Sequence, residues 1–203
     1  MITTVIFDIG NVLVDFSWKE KIAEFGYDEE MQVRIANASV HTEDWNQYDI
    51  GILSDEQIVN LFIENDPEMG EEIKRTFSNL RGIVKQRSYA KDLIKKLKDA
   101  GLRVLYLSNF SYPAEHDCAT ELDFIPLTDG GILSYKEKMI KPDARIYELL
   151  TKRYELVPEE CVFLDDTLRN IEAASVHGYK TIHFVDVKTG LSQLEELLKI
   201  RLI

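Results

Sequence analysis

Four short apolar runs alternate with amphipathic stretches along the chain. Each run is long enough for a buried strand but short for a helix. The runs are Thr3–Phe7, Arg103–Leu107, Cys161–Leu164 and Lys180–Val185. The stretches between and after them predict helices over Tyr89–Ala100, Ala144–Tyr154, Asn170–His177 and Leu191–Lys199. This order predicts an α/β fold, with a parallel sheet covered by helices on both faces.

The segment 17–87 departs from this alternation. It has the pattern of several amphipathic helices, and no convincing strand is visible in it. Turn-forming residues separate the helices, namely Gly26, Gly51, Pro67 and Gly70. We interpret 17–87 as a helical insertion after the first strand of a Rossmann-like core, which residues 1–16 and 88–203 form. Because no low-complexity linker flanks the insertion, we expect it to pack on the core.

Composition limits the classes of partner. The chain has 203 residues, 45% of them hydrophobic, which suits one large domain or a core with a small insertion. Its 24 Lys and Arg against 36 Asp and Glu give a net charge of −12, spread over mixed stretches. Such a surface disfavours nucleic acid as a partner. A site for an anionic substrate must therefore supply its own local positive potential.

Cysteine usage and hydropathy bear on the compartment. Cys118 and Cys161 are far apart and form no CxxC pair, so neither a disulfide framework nor a zinc site is predicted. The N-terminus lacks a basic region, and no stretch approaches the roughly 20 apolar residues of a membrane span. We expect a cytoplasmic protein that needs no membrane. The periodicity leaves the oligomeric state open.

Polar residues follow the predicted strands, where open α/β sheets place their ligand sites. They are Asp8, Ser108, Asn109, Asp165 and Asp166. Carboxylates at adjoining strand ends repel one another unless a divalent cation neutralises them, and ligands that are all oxygen favour magnesium over zinc. Lys141, which precedes the predicted helix at Ala144, adds a positive charge suited to phosphate.

These pieces resemble the four motifs of the haloacid dehalogenase (HAD) superfamily in order and spacing. The matching segments are Phe7–Asp15 (FDIGNVLVD), Leu107–Asn109 (LSN), Lys141–Asp143 (KPD) and Phe163–Asn170 (FLDDTLRN). The helical insertion is similar to the cap of subfamily I, where substrate specificity is usually decided. Two further features, Gly10-Asn11-Val12 and the Lys141–Tyr147 segment KPDARIY, resemble a bacterial subgroup that includes phosphatases acting on glucose 1-phosphate.

The resemblance implies a magnesium-dependent phosphoric monoester hydrolase that acts on a small-molecule phosphate ester. Asp8 would be the nucleophile that is transiently phosphorylated. The implied phosphate-binding residues are Ser108, Asn109 and Lys141, of which Lys141 also balances charge on the nucleophile. The implied metal ligands are Asp8, the backbone carbonyl of Gly10, and Asp166. Asp165 and Asn170 would support the site.

Gly10 departs from the family pattern. Most phosphatases of the family carry an Asp at this position, which protonates the leaving group and later activates water. Three readings stay open: a substrate-selective phosphatase in which water on the metal substitutes, an acid/base residue supplied by Asp15, His41 or a cap carboxylate, or a catalytically impaired protein that binds a phosphorylated ligand. A dehalogenase is disfavoured, because expelling halide needs no metal and gains little from Asp165 and Asp166.

Cap residues in one stretch are candidates for sugar contact. Trp45, Tyr48 and Asp49 could stack on a sugar and hydrogen-bond to it, although aromatic residues at helical spacing more often pack the cap itself. The histidines show no paired spacing, and we predict that none is a metal ligand. They are His41, His116, His177 and His183.

Overall fold

The computed structural model describes residues 1–202, within which seven strands form. The strands are β1 (Thr4–Phe7), β2 (Val14–Phe16), β3 (Val84–Gln86), β4 (Arg103–Ser108), β5 (Gly131–Leu133), β6 (Cys161–Asp165) and β7 (Lys180–His183). The helices are α1 (Trp18–Ala23), α2 (Glu29–Ala38), α3 (Asn46–Ile50), α4 (Asp55–Asn65), α5 (Gly70–Thr76), α6 (Ala90–Asp99), α7 (Tyr112–Asp117), α8 (Ser134–Glu137), α9 (Ala144–Arg153), α10 (Leu168–Val176) and α11 (Val187–Leu198). Short 3-10 turns lie at Glu43–Trp45, Pro67–Met69, Ala119–Leu122, Ile125–Leu127 and Pro158–Glu160.

Five strands form one parallel sheet in the order β5-β4-β1-β6-β7. The chain starts at the central strand β1, builds one side with β4 and β5, and then crosses to β6 and β7. The register aligns Phe7 of β1 with Tyr106 of β4 and Leu164 of β6. The carboxyl ends of β1, β4 and β6 therefore meet at one edge, where a doubly wound sheet opens a crevice.

The two faces of the sheet bury separate sets of side chains. Val5 and Phe7 of β1 join one core cluster, together with apolar residues of α6 and α11. Ile6 points to the opposite face and joins a second cluster with residues of α9 and α10. This alternation is the two-residue period of a strand that is buried on both sides. The α/β fold with a parallel sheet and helices on both faces is thus confirmed.

The expectation that 17–87 contains no strand was wrong. β3 lies inside this segment and pairs antiparallel with β2, which aligns Val14 with Gln86 and Phe16 with Val84. Three residues are too short a run to show alternation, so the pattern did not reveal the strand. The pair joins the two ends of the insertion, because the chain leaves through β2 and returns through β3. α1 to α5 lie between them, while the boundaries of a separate cap remain a prediction.

Some element ends also differ from the sequence prediction. β5 was not predicted, and it too has only three residues. α10 begins at Leu168 and α11 at Val187, both earlier than expected. α11 begins earlier because Asp186 is its N-cap residue, whose side chain accepts a hydrogen bond from the backbone N–H of Thr189.

Across residues 1–202, no helix combines the length and the apolar character needed to cross a bilayer.

Candidate active site

Asp8 lies immediately after β1, at the crevice edge of the sheet. Its backbone N–H donates to the carbonyl of Leu164 on β6 at 2.8 Å, which extends the strand pairing as far as the carboxylate. The N–H of Ile9 donates to Asp8 Oδ1 at 2.7 Å. Only 10% of the Asp8 side chain is exposed, so the carboxylate is fixed with one edge toward the crevice.

Lys141 lies behind Asp8 and is buried, with 1% of its side chain exposed. Its Nζ lies 3.0 Å from Asp8 Oδ1 and 2.6 Å from Asp165 Oδ2, and it donates to the carbonyl of Leu107 at 3.0 Å. Three partners use all three ammonium protons. Lys141 therefore bridges the ends of β1, β4 and β6, and it is the counter-charge of the Asp8 and Asp165 carboxylates.

Asp165 and Asp166 occupy different environments although they are adjacent. Asp165 is fully buried, and its two oxygens accept from Lys141, from the N–H of Thr167 at 2.8 Å and from Asn170 Nδ2 at 3.1 Å. Asp166 is partly exposed, and its Oδ2 accepts from Asn11 Nδ2 at 2.9 Å. The Oδ1 of Asp166 accepts from Thr167 Oγ1 at 3.3 Å. Asp165 is thus enclosed by protein, whereas Asp166 lies at the open crevice.

A carboxylate cluster marks the place for a cation. One oxygen each of Asp8, Asp165 and Asp166 lie within 4.8 Å of one another. Hard oxygen ligands on a partly open site fit magnesium better than softer metals. Asp165 is fully buried against Lys141, whereas Asp8 and Asp166 both open toward the crevice, so these two are the carboxylates that fit as direct ligands.

Ser108 and Asn109 lie at the end of β4. The amide of Asn109 makes a reciprocal pair with the backbone of Lys141, since Nδ2 donates to its carbonyl at 3.1 Å and Oδ1 accepts from its N–H at 2.7 Å. This pair holds the Lys141 loop against the sheet. Ser108 is fully buried beside Asp8. Contacts of Ser108, Asn109 and Lys141 with phosphate stay a prediction.

The surroundings of Asp8 shift the pKa of its carboxyl group. Burial raises the pKa of Asp8 to about 7; Lys141 opposes this rise, and the charges of Asp165 and Asp166 add to it. A nucleophilic carboxylate must be ionised. A divalent cation beside Asp8 would favour its ionised form by the same Coulomb interaction through which Lys141 acts.

A cavity of about 200 Å³ opens above Asp8 and Asp166. Its walls combine a polar floor with apolar and aromatic sides. Besides the two carboxylates, the lining residues are Gly10, Asn11, Phe16, Trp45, Asp49, Ile83, Val84, Asn109, Phe110, Ser111, Ala114 and Thr167. Segment 17–87 supplies Trp45, Asp49, Ile83 and Val84, so the insertion forms part of the cavity wall around Asp8.

Two acid/base candidates from the sequence lie elsewhere. Asp15 is half-exposed and accepts from Arg87 Nε at 2.8 Å, outside the cavity. His41 pairs with Asn37 at 3.1 Å and packs edge-on against Trp18, where it lines a separate groove. Neither residue lines the cavity above Asp8.

Of the three cap candidates, two line the cavity. Trp45 lies in the wall but also packs against Phe62 and Phe77, so its ring is part of an aromatic cluster. Tyr48 is buried and does not line the cavity. Asp49 is the cap carboxylate that faces the same space as Asp8.

Asn11 is a site residue that the sequence reasoning did not assign. Its backbone is left-handed, with φ of 53°, a conformation that Asn adopts more readily than most residues. In that position its Nδ2 reaches Asp166 while Oδ1 accepts from the N–H of Phe16 at 3.2 Å. The sequence did contain one indication of this conformation, because a Gly-Asn pair such as Gly10-Asn11 is typical of a turn.

The profile of the haloacid dehalogenase-like hydrolase family matches residues 2–178. Among curated proteins, sesquiterpene phosphatase astK from Aspergillus oryzae is 27% identical over 193 residues, which cover 95% of both chains. A phosphorylated carbohydrates phosphatase from Thermotoga maritima is 26% identical over 190 residues, 89% of this chain and 84% of that one.

Among solved structures, a HAD family enzyme from Bacteroides thetaiotaomicron, in complex with magnesium and inorganic phosphate, superposes with a TM-score of 0.68. It is 20% identical and covers 90% of this chain and 93% of that one, so the likeness concerns the fold. The parallel sheet and the family match together define a hydrolase of α/β fold. The chain belongs to the haloacid dehalogenase-like hydrolase family, which confirms the superfamily predicted from its motifs.

Proposed function

We propose that the chain is a magnesium-dependent phosphatase that hydrolyses a small phosphorylated metabolite through an aspartyl phosphate on Asp8. The observation that carries the proposal is the position of Asp8, which is fixed at the cavity floor by Lys141 and lies beside Asp166. Phosphatases among the relatives of similar length support this reaction class.

Each group would have a defined task. Magnesium, held by Asp8, Asp166 and the carbonyl of Gly10, would supply positive charge to a phosphate that the acidic surface would otherwise repel. Lys141 favours the ionised form of Asp8 and holds the carboxylate in place for attack on phosphorus. Asn11 orients Asp166 through its amide, and Asn170 orients Asp165.

The proposed substrate is a sugar phosphate such as glucose 1-phosphate. Trp45 places an aromatic side chain in the cavity wall, where it could contact a sugar ring, and Asp49 adds a hydrogen-bonding group to the same wall. Phe16, Phe110 and Val84 make the rest of the wall apolar, which also suits a hydrocarbon ester. Prenyl monophosphates therefore belong in any substrate panel, and a phosphatase of sesquiterpenes among the relatives supports including them.

A second candidate function rests on Gly10. Because this position has no carboxylate, the chain could bind a phosphorylated ligand without hydrolysing it. The two candidates differ in turnover. The native chain and Asp8→Asn would be incubated with sugar phosphates, nucleotides and prenyl monophosphates, with magnesium or with a chelator, and released phosphate would be measured. Release that requires both magnesium and Asp8 supports the phosphatase, whereas saturable binding without release supports the binding protein.

A further inference from the structure

Gly10 leaves room above the nucleophile that no side chain of its own fills. A Cβ atom placed on Gly10 would meet nothing within 4 Å, and the residue lines the cavity. In hydrolysis of an ester with a poor leaving group, a proton must reach the departing oxygen in this space. The group that delivers it must come from another part of the wall.

Asp49 is placed to fill this role from segment 17–87, which supplies part of the cavity wall. It lies near the end of α3 and lines the same cavity as Asp8, Gly10 and Asp166. The carboxylates of Asp8 and Asp166 belong to the metal cluster, and Asp165 lies outside the cavity lining. Within the described residues, Asp49 is thus the carboxyl of the lining that is not committed to the cluster.

The end of α3 is docked firmly on the core. Ser134 Oγ in α8 donates to the carbonyl of Asp49 at 2.7 Å, and Lys138 Nζ donates to the carbonyl of Gly51. Gly51 has a left-handed backbone, with φ of 68°, and a Cβ atom there would lie 2.8 Å from Cβ of Tyr135. Glycine therefore allows α3 to end in contact with α8. These contacts fix the backbone of Asp49 at the wall of the cavity that Asp8 also lines, and acid/base catalysis requires such fixed positions.

The electrostatic environment suits proton transfer. Burial raises the pKa of Asp49 to about 7; the charge of Asp8 adds to this rise, and Lys141 opposes it. A carboxyl with a pKa close to neutral is able to give a proton and to take one back during the same cycle.

We propose that Asp49 is the general acid and base of this hydrolase, in place of the carboxylate that Gly10 lacks. The assignment rests on the phosphatase function proposed above. In the first step Asp8 forms a bond to phosphorus, the ester P–O bond breaks, and protonated Asp49 gives its proton to the leaving oxygen. In the second step ionised Asp49 takes a proton from water as the water oxygen attacks phosphorus. The bond from Asp8 to phosphorus then breaks, which regenerates both carboxyl groups and releases phosphate.

The test compares two aryl esters of nearly equal shape, with magnesium present throughout. p-Nitrophenolate is a stable anion that leaves without a proton, whereas the more basic phenolate needs one. In Asp49→Asn we expect release of phenol from phenyl phosphate to fall by about 100-fold or more. In the same variant, the rate of the initial burst of p-nitrophenolate should stay close to that of the native chain. The phosphorylated form of the variant should then accumulate, because no base remains to activate the water that hydrolyses it.

Asp44→Asn is the matched control. It removes a carboxylate from the same stretch of the insertion, and Asp44 accepts from Asn65 Nδ2 at 2.8 Å without lining the cavity. This variant should behave as the native chain does with both esters. Circular dichroism of all variants verifies that the fold is retained.

Two results would overturn the assignment of Asp49. One is phenol release from Asp49→Asn at the native rate. The other is an equal loss in the first turnover of both esters, because a structural defect does not distinguish leaving groups. A native chain that neither releases phosphate nor becomes phosphorylated would instead refute the phosphatase itself, and the role of Asp49 with it.

Discussion

Replacement of Lys141 by methionine should destabilise the fold strongly. Lys141 is buried between two carboxylates, with Nζ at 3.0 Å from Asp8 and 2.6 Å from Asp165. Methionine fills a similar volume but leaves these buried charges without their cation. Removing one partner of a buried ion pair costs about 3–5 kcal/mol, so we expect a loss of about 4 kcal/mol in the free energy of unfolding near pH 8.

The loss should depend on pH in a defined direction. Burial already raises the pKa of Asp8 to about 7 in the presence of Lys141, and removal of that cation raises it further. A carboxyl whose pKa is higher in the folded state stabilises the fold at low pH, and this contribution is lost as pH rises through the folded-state pKa. Asp8 of the variant is therefore protonated near pH 5.5, and the difference from the native chain shrinks there.

Urea unfolding followed by circular dichroism, at pH 5.5 and at pH 8 in the presence of a chelator, measures both effects. Lys136→Met is the control, because Lys136 pairs with Glu115 at 2.9 Å on the surface with about half of its side chain exposed. Such a pair contributes about 0–1 kcal/mol. The reasoning would be refuted if both lysine variants lost the same free energy, or if the loss in Lys141→Met did not grow with pH.

Three further variants test other parts of the site. In a chelator, Asp49→Asn should stabilise the fold near pH 8 by about 2 kcal/mol and have little effect near pH 4. A rise in the pKa of Asp49 to about 7 means that its ionised form costs the folded state about 4 kcal/mol, and we halve this value because the side chain is partly exposed. If urea unfolding near pH 8 showed that Asp49→Asn is less stable than the native chain, this expectation would be contradicted. With magnesium present, Gly10→Asp should fold as the native chain does, because a Cβ at this position meets nothing within 4 Å. The same change should restore phosphate release to Asp49→Asn. A lower Tm in magnesium would contradict the first expectation, and a double variant without phosphate release would contradict the second. Asn11→Gly keeps the left-handed backbone but removes the side-chain amide that lies 2.9 Å from Asp166. Titration calorimetry should then show an affinity for magnesium about 10-fold weaker than that of the native chain. An unchanged affinity would refute the role of Asn11.

Residues that follow strand ends could be predicted from the sequence. Asp8 and Asp166 end up together because parallel strands bring their carboxyl ends to one edge, and the apolar runs before them were long enough to recognise. β3 and β5 have only three residues each, too few to show alternation. Their positions depend on pairing with distant strands.

The contacts between remote segments could not be predicted. The sequence suggested Asp15, His41 or a cap carboxylate as acid/base, and nothing local ranked them. The choice of Asp49 depends on the docking of α3 against α8, through a hydrogen bond between residues 85 positions apart. Likewise, the sequence suggested that Lys141 faces phosphate, but only the folded chain shows its ammonium group held by Asp8, Asp165 and a backbone carbonyl.

Trapping of the phosphorylated protein tests the central claim most directly. The native chain would be mixed with p-nitrophenyl phosphate and magnesium, quenched in acid and digested, and the peptides would be analysed by mass spectrometry. We predict one added phosphoryl group on the peptide that carries Asp8, absent with a chelator and absent in Asp8→Asn. A phosphoryl group on another residue, or turnover with Asp8 replaced, would contradict the account.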